Sequence, residues 1–243
     1  MGKVIRFLEC VKMAIEELRQ QPPPVIPSEK SSVPRRKLEA YRTFNTQPKA
    51  TDVYEKGLVL PEEQSRPGNL LDPIHKYCVI DESSSKELAT EAVRFAAACL
   101  NERVNGTIHF GVVGKWDCIE EMQAGEILGM HIDKKQCDVA VTDEIYRSFF
   151  PDQIDVAHSC IREPVYIPVI EKDAAGVTLF VVEVDVIPHS EVVAETAFFL
   201  KPHQGESVLL FRYIQGHAVS VEGEDLLKFM DFKKKTLRAA QRK

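Results

Sequence analysis

The side chains of this chain whose type and spacing best fit a chemistry are cations. Arg94 stands in the stretch EAVRF, Lys134-Lys135 form a pair, and Lys233-Lys234-Lys235 open a basic run that continues through Arg238, Arg242 and Lys243. Grouped Arg and Lys neutralise phosphates, which is the sequence-independent part of nucleic-acid binding. The plainer fate of such a run is a solvated helix face. For Arg94 it is an ion pair with Glu91, three residues earlier, worth about 0.2–0.5 kcal/mol. Other chemistries find less support. There is no G-x-x-x-x-G-K-[ST] phosphate loop and no G-x-S-x-G elbow. The seven histidines are scattered, although His75 and His109 fall on strands that could be neighbours. The six cysteines, Cys10, Cys78, Cys99, Cys118, Cys137 and Cys160, include no C-x-x-C pair and no Cys/His run at zinc spacing. Reduced, mostly buried thiols are expected.

The stretch Ser83 to Val113 organises the elements that must hold these residues. Ser84 with Glu87 fits a capping box, in which side chains satisfy backbone N–H groups at a helix start. Leu88, Ala92, Phe95, Ala96 and Cys99 then recur at helical spacing, which leaves Arg94 on the polar side of a helix over 85–103. Asn105-Gly106 is expected to close it, since glycine takes the left-handed conformation at little steric cost. Ile108, Phe110 and Val112 alternate with Thr107, His109 and Gly111, the period of a strand with two unlike faces.

The chain of 243 residues, 44% hydrophobic and 28% charged, suits one globular domain with a tail, or two small domains. Its formal charge of −6 excludes a general polycation, so a nucleic-acid site must be a local basic face. No apolar run reaches the roughly 20 residues that span a bilayer, and Arg6, Glu9 and Lys12 break the pattern of a signal peptide. No membrane partner is expected.

Val4, Leu8, Val11, Ile15 and Leu18 give Met1 to Gln21 a heptad seam, for docking on a partner or self-association. Pro22-Pro23-Pro24 ends it, and residues 22–69 read as an extended Pro/Ser-rich linker whose Arg35-Arg36-Lys37 cluster is most simply solvated. Further strands are expected over 74–80, 126–130, 165–170, 177–186, 197–201 and 208–214. Helices are expected over 133–150 and over 225–243, the latter with Leu226, Leu227, Met230 and Leu237 on its apolar face. The sum is an α/β fold with a mixed sheet and flanking helices.

NGTIHFGV following the EAVRFAAACLN helix closely resembles the Schlafen-type Alba domain, the AlbA_2 superfamily, in the version carried by the sterile alpha motif domain-containing 9 and 9-like antiviral proteins. LLDPIH (70–75), CIREP (160–164), EVDVIP (183–188) and MDFK (230–233) match in the same order, so the resemblance covers about 70–243. It implies nucleic-acid binding in an antiviral or translation-control setting in the cytoplasm. Nuclease-active Schlafens are metal-dependent RNA endonucleases with three metal-binding carboxylates, as hard divalent cations require. Where that family has an E-F-K strand, this sequence has Lys76, Tyr77 and Cys78, and where the third acid follows the FGV strand it has Gly114. Asp72, Asp81, Glu82 and Asp117 are nearby acids, each most simply exposed or capping. No catalytic or metal-binding residue and no cofactor is therefore expected; Mg²⁺ or Mn²⁺ would enter only if a nuclease survives with relocated carboxylates.

The resemblance also implies that Arg94 is a nucleic-acid contact, and it places Lys76 and Lys86 one residue from basic contacts of those relatives. With Lys134, Lys135, Lys233, Lys234 and Lys235 they make up the expected binding set. The expected partner is structured RNA such as tRNA, or double-stranded RNA or DNA, read through backbone and shape. A metal-dependent endoribonuclease and a protein-interaction module working through residues 1–21 are the alternatives.

Overall fold

The computed structural model describes residues 41–49, 52–63, 72–80, 84–115, 117, 122–171, 179–189, 193–194, 196–201, 209–214 and 217–240, with side chains to 235. The described residues belong to the compact unit Arg35–Lys243. The expected helix over 1–21 lies outside the described residues, as do Cys10, Cys118, Asp81 and Glu82.

The strands are β1 (Tyr54–Glu55), β2 (Ile74–Cys78), β3 (Gly106–Phe110), β4 (Val165–Ile170), β5 (Leu179–Val186), β6 (Phe199–Leu200), β7 (Leu209–Ile214) and β8 (His217–Val221). The helices are α1 (Ser85–Glu102), α2 (Lys134–Ser148), α3 (Ile154–Cys160) and α4 (Gly223–Ala240). A five-stranded sheet runs β1-β4-β5-β3-β2 and a three-stranded sheet β6-β7-β8. The larger one is mixed: β1 with β4 and β2 with β3 are parallel, whereas β5 is antiparallel to both neighbours. The α/β expectation with a mixed sheet therefore holds. Among the described residues no helix is long and apolar enough to cross a membrane.

Helix α1 is the crossover that parallel pairing of β2 and β3 requires. Ser84 Oγ accepts the Glu87 N–H at 3.0 Å, so the expected cap is formed. The expected stripe is buried, and so are Ala89, Val93, Ala97, Ala98, Leu100 and Asn101. A helix buried this far around its circumference is packed on several sides, and α1 contacts α2, β3, β5 and the β6–β8 sheet. Its end corrects the expectation. Arg103, not Gly106, takes the left-handed conformation, at φ 58°, and its N–H bonds the Cys99 carbonyl. Gly106 is needed for close approach: a Cβ there would lie 2.7 Å from both Cys99 Sγ and Phe95 Cζ.

Strand β3 is buried at every position, on its polar face as well as its apolar one. Its cover is the second correction. Residues within the expected 22–69 linker are structural: Tyr54 and Leu60 form a core with Tyr77, Val112, Ile127, Ile167 and Val181, and Tyr41 packs against it. An apolar core thus lies on each side of the larger sheet, with α1 in one and the 41–63 segment in the other.

The expected 126–130 strand is reduced to isolated bridges, Val59 with Glu126, Val112 with Ile127 and Met130 with Phe180. Helix α2 begins at its Asp133 cap and buries Val141 and Ile145, which with the buried Phe149 are spaced for one apolar side, together with Cys137. Helix α3 and strand β8 were not expected from sequence; α3 spans only 7 residues, too short for a periodic signal. On α4 the apolar face is displaced. Phe229 and Lys233 are buried and Leu226 and Met230 partly so, whereas Leu227 is 67% exposed. Two buried amides tie the second sheet down: Asn101 Nδ2 donates to the Phe198 and Phe211 carbonyls, and Gln153 Nε2 to the Ala197 carbonyl. Cys78, Cys99, Cys137 and Cys160 are free thiols.

Candidate nucleic-acid interface

Strand β2 divides its side chains between two charged sites, because successive residues point to opposite faces. His75 and Tyr77 face the 41–63 segment; Ile74, Lys76 and Cys78 face α1. On the first side lies a buried polar network. His75 Nδ1 and His109 Nε2 are 2.9 Å apart, and His109 Nδ1 is 3.0 Å from Glu183 Oε1. Glu183 also accepts from the Tyr54 hydroxyl at 2.9 Å and from Arg42 Nε at 2.6 Å. Arg42 Nη2 donates to Asp185 at 2.8 Å, and Asp185 accepts further from the Thr107 hydroxyl and the Asn45 N–H. Tyr41 stacks on His75 with ring centroids 3.6 Å apart.

The electrostatics follow from burial. Burial alone would raise the Glu183 pKa, but His109 and Arg42 outweigh it and hold the carboxyl down to about 2. Burial, with His109 adding to it, pushes His75 down to about 3, so its ring is neutral. The contacts run as a chain from His75 to His109 to Glu183. A Glu–His–His chain has the composition of a proton relay. Here His75, His109 and Glu183 are at most 5% exposed, and Glu183 is bonded to Arg42 and Tyr54 as well as to His109. The two histidines are thus close in space, and their arrangement is architectural. The resemblance motifs converge here: the His of LLDPIH, the His of NGTIHFGV and the acids of EVDVIP form the network. CIREP pairs with EVDVIP through Arg162 N to the Asp185 carbonyl and Ile187 N to that of Cys160.

On the α1 side, Lys76 and Arg94 meet at one carboxylate. Arg94 Nη1 is 2.7 Å from Glu91 Oε1, and Lys76 Nζ is 3.5 Å from Glu91 Oε2. The side chains of Lys76, Glu91 and Arg94 are 14%, 25% and 38% exposed, which places the group at the protein–water boundary. The Arg94 guanidinium lies 6.0 Å from the Phe211 ring centroid, a cation–π distance. The ion pair expected for Arg94 is therefore present, and its carboxylate is shared with Lys76. Sequence reasoning identified both cations but not their convergence, nor Phe211, because β2, α1 and β7 meet only in the fold.

The other expected cations lie on separate elements. Lys86 is exposed in the first turn of α1. Lys134 and Lys135 are exposed in the first turn of α2, with Lys134 Nζ 4.2 Å from the Phe180 ring centroid. Lys234 and Lys235 are exposed on α4. Lys233 is a correction. It is 3% exposed, and its ammonium donates to the Thr196 carbonyl at 3.1 Å and the Val193 carbonyl at 3.4 Å. Burial, with Arg103 adding to it, pushes its pKa down to about 8. It anchors the 193–196 segment and does not face solvent.

The described acids near β2 and β3 do not fit a metal. Asp117 Oδ2 accepts the Gly114 N–H at 2.7 Å and the Val79 N–H at 3.3 Å, the bonds of a turn cap. A Cβ on Gly114 would lie 2.9 Å from the Tyr77 carbonyl oxygen, so the backbone there excludes a side chain. Lys76 turns to Glu91, and the Tyr77 hydroxyl to Tyr41 and the Pro61 carbonyl. Among the described residues no group of three His, Cys, Asp or Glu side chains is arranged to hold a metal ion.

No family model matches the sequence. Three curated proteins to which the chain is similar are much longer than it. The chain is 35% identical over 155 residues to the sterile alpha motif domain-containing protein 9-like of Mus musculus, a match covering 60% of this chain and 10% of that protein. It is 35% identical over 137 residues to the sterile alpha motif domain-containing protein 9 of Homo sapiens, covering 52% of this chain and 8% of that protein. With the human 9-like protein the identity is 33% over 141 residues, 55% of this chain and 8% of the other. The chain spans about a tenth of the length of the curated relatives it matches.

Proposed function

We propose that the part of the chain from residue 70 onward, clasped by the 41–63 segment, is a Schlafen-type Alba domain of the AlbA_2 superfamily. In this reading it binds structured RNA or duplex nucleic acid through the phosphate backbone and does not cleave it. The observation that carries the reading is the convergence of Lys76 and Arg94, from a strand and a helix, at a partly exposed position where both reach one anion. Contacts of this kind give affinity with little sequence preference, as A-form RNA and backbone readout require. The sterile alpha motif domain-containing homologues, together with the collinear motifs, support an antiviral or translation-control setting in the cytoplasm. The bonding of Asp117 and the closed backbone at Gly114 support a non-cleaving domain.

A gel-shift panel of tRNA, double-stranded RNA, double-stranded DNA and single strands tests the reading, with the same samples incubated in Mg²⁺ and Mn²⁺. Retarded, intact tRNA or duplex is the expected result. Cleavage lost in Asp72→Ala, Asp81→Ala or Asp117→Ala would replace the reading with a nuclease whose carboxylates have moved. No retardation of any probe would overturn it.

A further inference from the structure

We infer that Lys76 and Arg94 form a clamp for a single phosphate, and that Glu91 occupies this clamp in the free protein as an internal anion. The inference rests on the nucleic-acid reading and goes further by naming the atoms of the contact and the residue that competes for it. Lys76 comes from β2 and Arg94 from α1, yet their nitrogens lie 3.5 Å and 2.7 Å from the two oxygens of one carboxylate. Two cations that converge on the oxygens of one anion are already arranged for another of similar charge. Phosphate offers oxygens to both a planar guanidinium and a point-like ammonium. Phe211 lies at cation–π distance from the guanidinium, which limits the planes it can adopt.

Glu91 is placed to be displaced. Its side chain is 25% exposed, and it sits three residues before Arg94 on the same helix, so rotation about its own bonds takes the carboxylate into water. Ion pairs in contact with water hold weakly. While it stays, Glu91 neutralises part of the clamp and repels an incoming phosphate. Its role is thus to set the affinity and its dependence on salt, without contacting the ligand.

The experiment measures fluorescence anisotropy of a labelled 20-base-pair RNA duplex across a salt series, with wild-type, Glu91→Gln, Arg94→Glu and the double variant Glu91→Gln/Arg94→Ala. Glu91→Gln keeps the shape of the side chain and removes its charge. It should bind about three- to tenfold more tightly at low salt, and the gain should shrink as salt rises. The gain should vanish in the double variant. A wild-type protein whose binding falls in Arg94→Glu but does not change in Glu91→Gln would overturn the internal-anion role and leave the nucleic-acid reading standing. Absence of binding in every protein, Glu91→Gln included, would overturn both. A thermal melt of each variant within a few degrees of wild type establishes that binding, not folding, is being read.

Discussion

The two charged sites on either side of β2 are built from similar residues and behave oppositely. Beneath the 41–63 segment, Arg42 faces Glu183 and Asp185, with side-chain exposures of 1–3%. Around it Tyr54, Thr107, His109 and the Asn45 N–H fill the remaining carboxylate positions. Above α1, two cations share one carboxylate in partial contact with water. Charge that is dry and fully bonded fixes structure, because no partner can be exchanged without leaving a buried ion. Charge that is half wet and short of anions can change partner. EAVRFAAACLN carries Glu91 and Arg94 to the wet side, whereas His75 of LLDPIH, His109 of NGTIHFGV and the acids of EVDVIP fall on the dry one. Similarity in the dry-side motifs therefore speaks for the fold more directly than for any activity.

The widest expected gap between the sites is in stability. Arg42→Ala leaves Glu183 and Asp185 buried and uncompensated, so it should cost about 3–5 kcal/mol, the usual cost of removing one partner of a buried pair. Urea denaturation would read this as a lower midpoint at unchanged slope. A loss below 1 kcal/mol would mean that the 41–49 segment is not held by this pair.

Acid should break the dry site next. His75 is pushed down to about 3 in the folded protein and titrates near 6.5 when unfolded. Between those values the unfolded chain binds the extra proton, so stability falls as pH falls below about 6.5, by up to about 1.4 kcal/mol per pH unit. Glu183, held at about 2, adds a loss in the same direction once pH drops below its unfolded value near 4.3. Thermal melts from pH 7 to 4.5 should show the decline, and His75→Phe should flatten it by about one proton. An unchanged slope in His75→Phe would remove His75 as its cause.

Gly106→Ala should cost less, about 1–3 kcal/mol, as overpacking does. Its new Cβ meets Phe95 and Cys99, both fully buried, at 2.7 Å. A neutral result in a melt would show that the β3–α1 contact gives way there.

These residues also mark how far the sequence could be read. The cap at Ser84, the stripe from Leu88 to Cys99 and the helix over 134–148 were legible, because capping and period are local properties. Tyr41, Arg42 and Tyr54 were not. They stand in a Pro- and charge-rich stretch without periodicity, and their partners are distant in sequence: His75 and Tyr77 for Tyr41, Glu183 for Arg42 and Tyr54. The period of β3 was legible but its cover was not, since alternation identifies a second face without saying what packs on it. Lys233 misled for the same reason. Its sequence context is a basic run, and only the carbonyls of 193 and 196 reveal a buried lysine. At the candidate interface, the resemblance pointed to Arg94 and Lys76, while Glu91 as their common partner required the parallel β2–α1–β3 arrangement.

The smallest effect on stability should come from the wet site, and there the comparison is sharpest. Arg94→Glu removes an ion pair worth about 0.2–0.5 kcal/mol from a side chain that is 38% exposed, so the protein should melt close to wild type. Lys76 retains an acid at Glu91, which limits the damage further. Binding should respond quite differently. A lost backbone contact weakens all duplex sequences by similar factors and lowers the salt slope of log K by about 1, since each neutralised phosphate contributes roughly 0.9 on B-DNA. Arg42→Ala should show the reverse pattern: large loss of stability and, in the fraction still folded, an unchanged salt slope. If Arg94→Glu is folded and leaves both affinity and slope untouched, Arg94 is only the partner of Glu91. A binding face would then have to be built from Lys134, Lys135, Lys234 and Lys235, which lie on other helices.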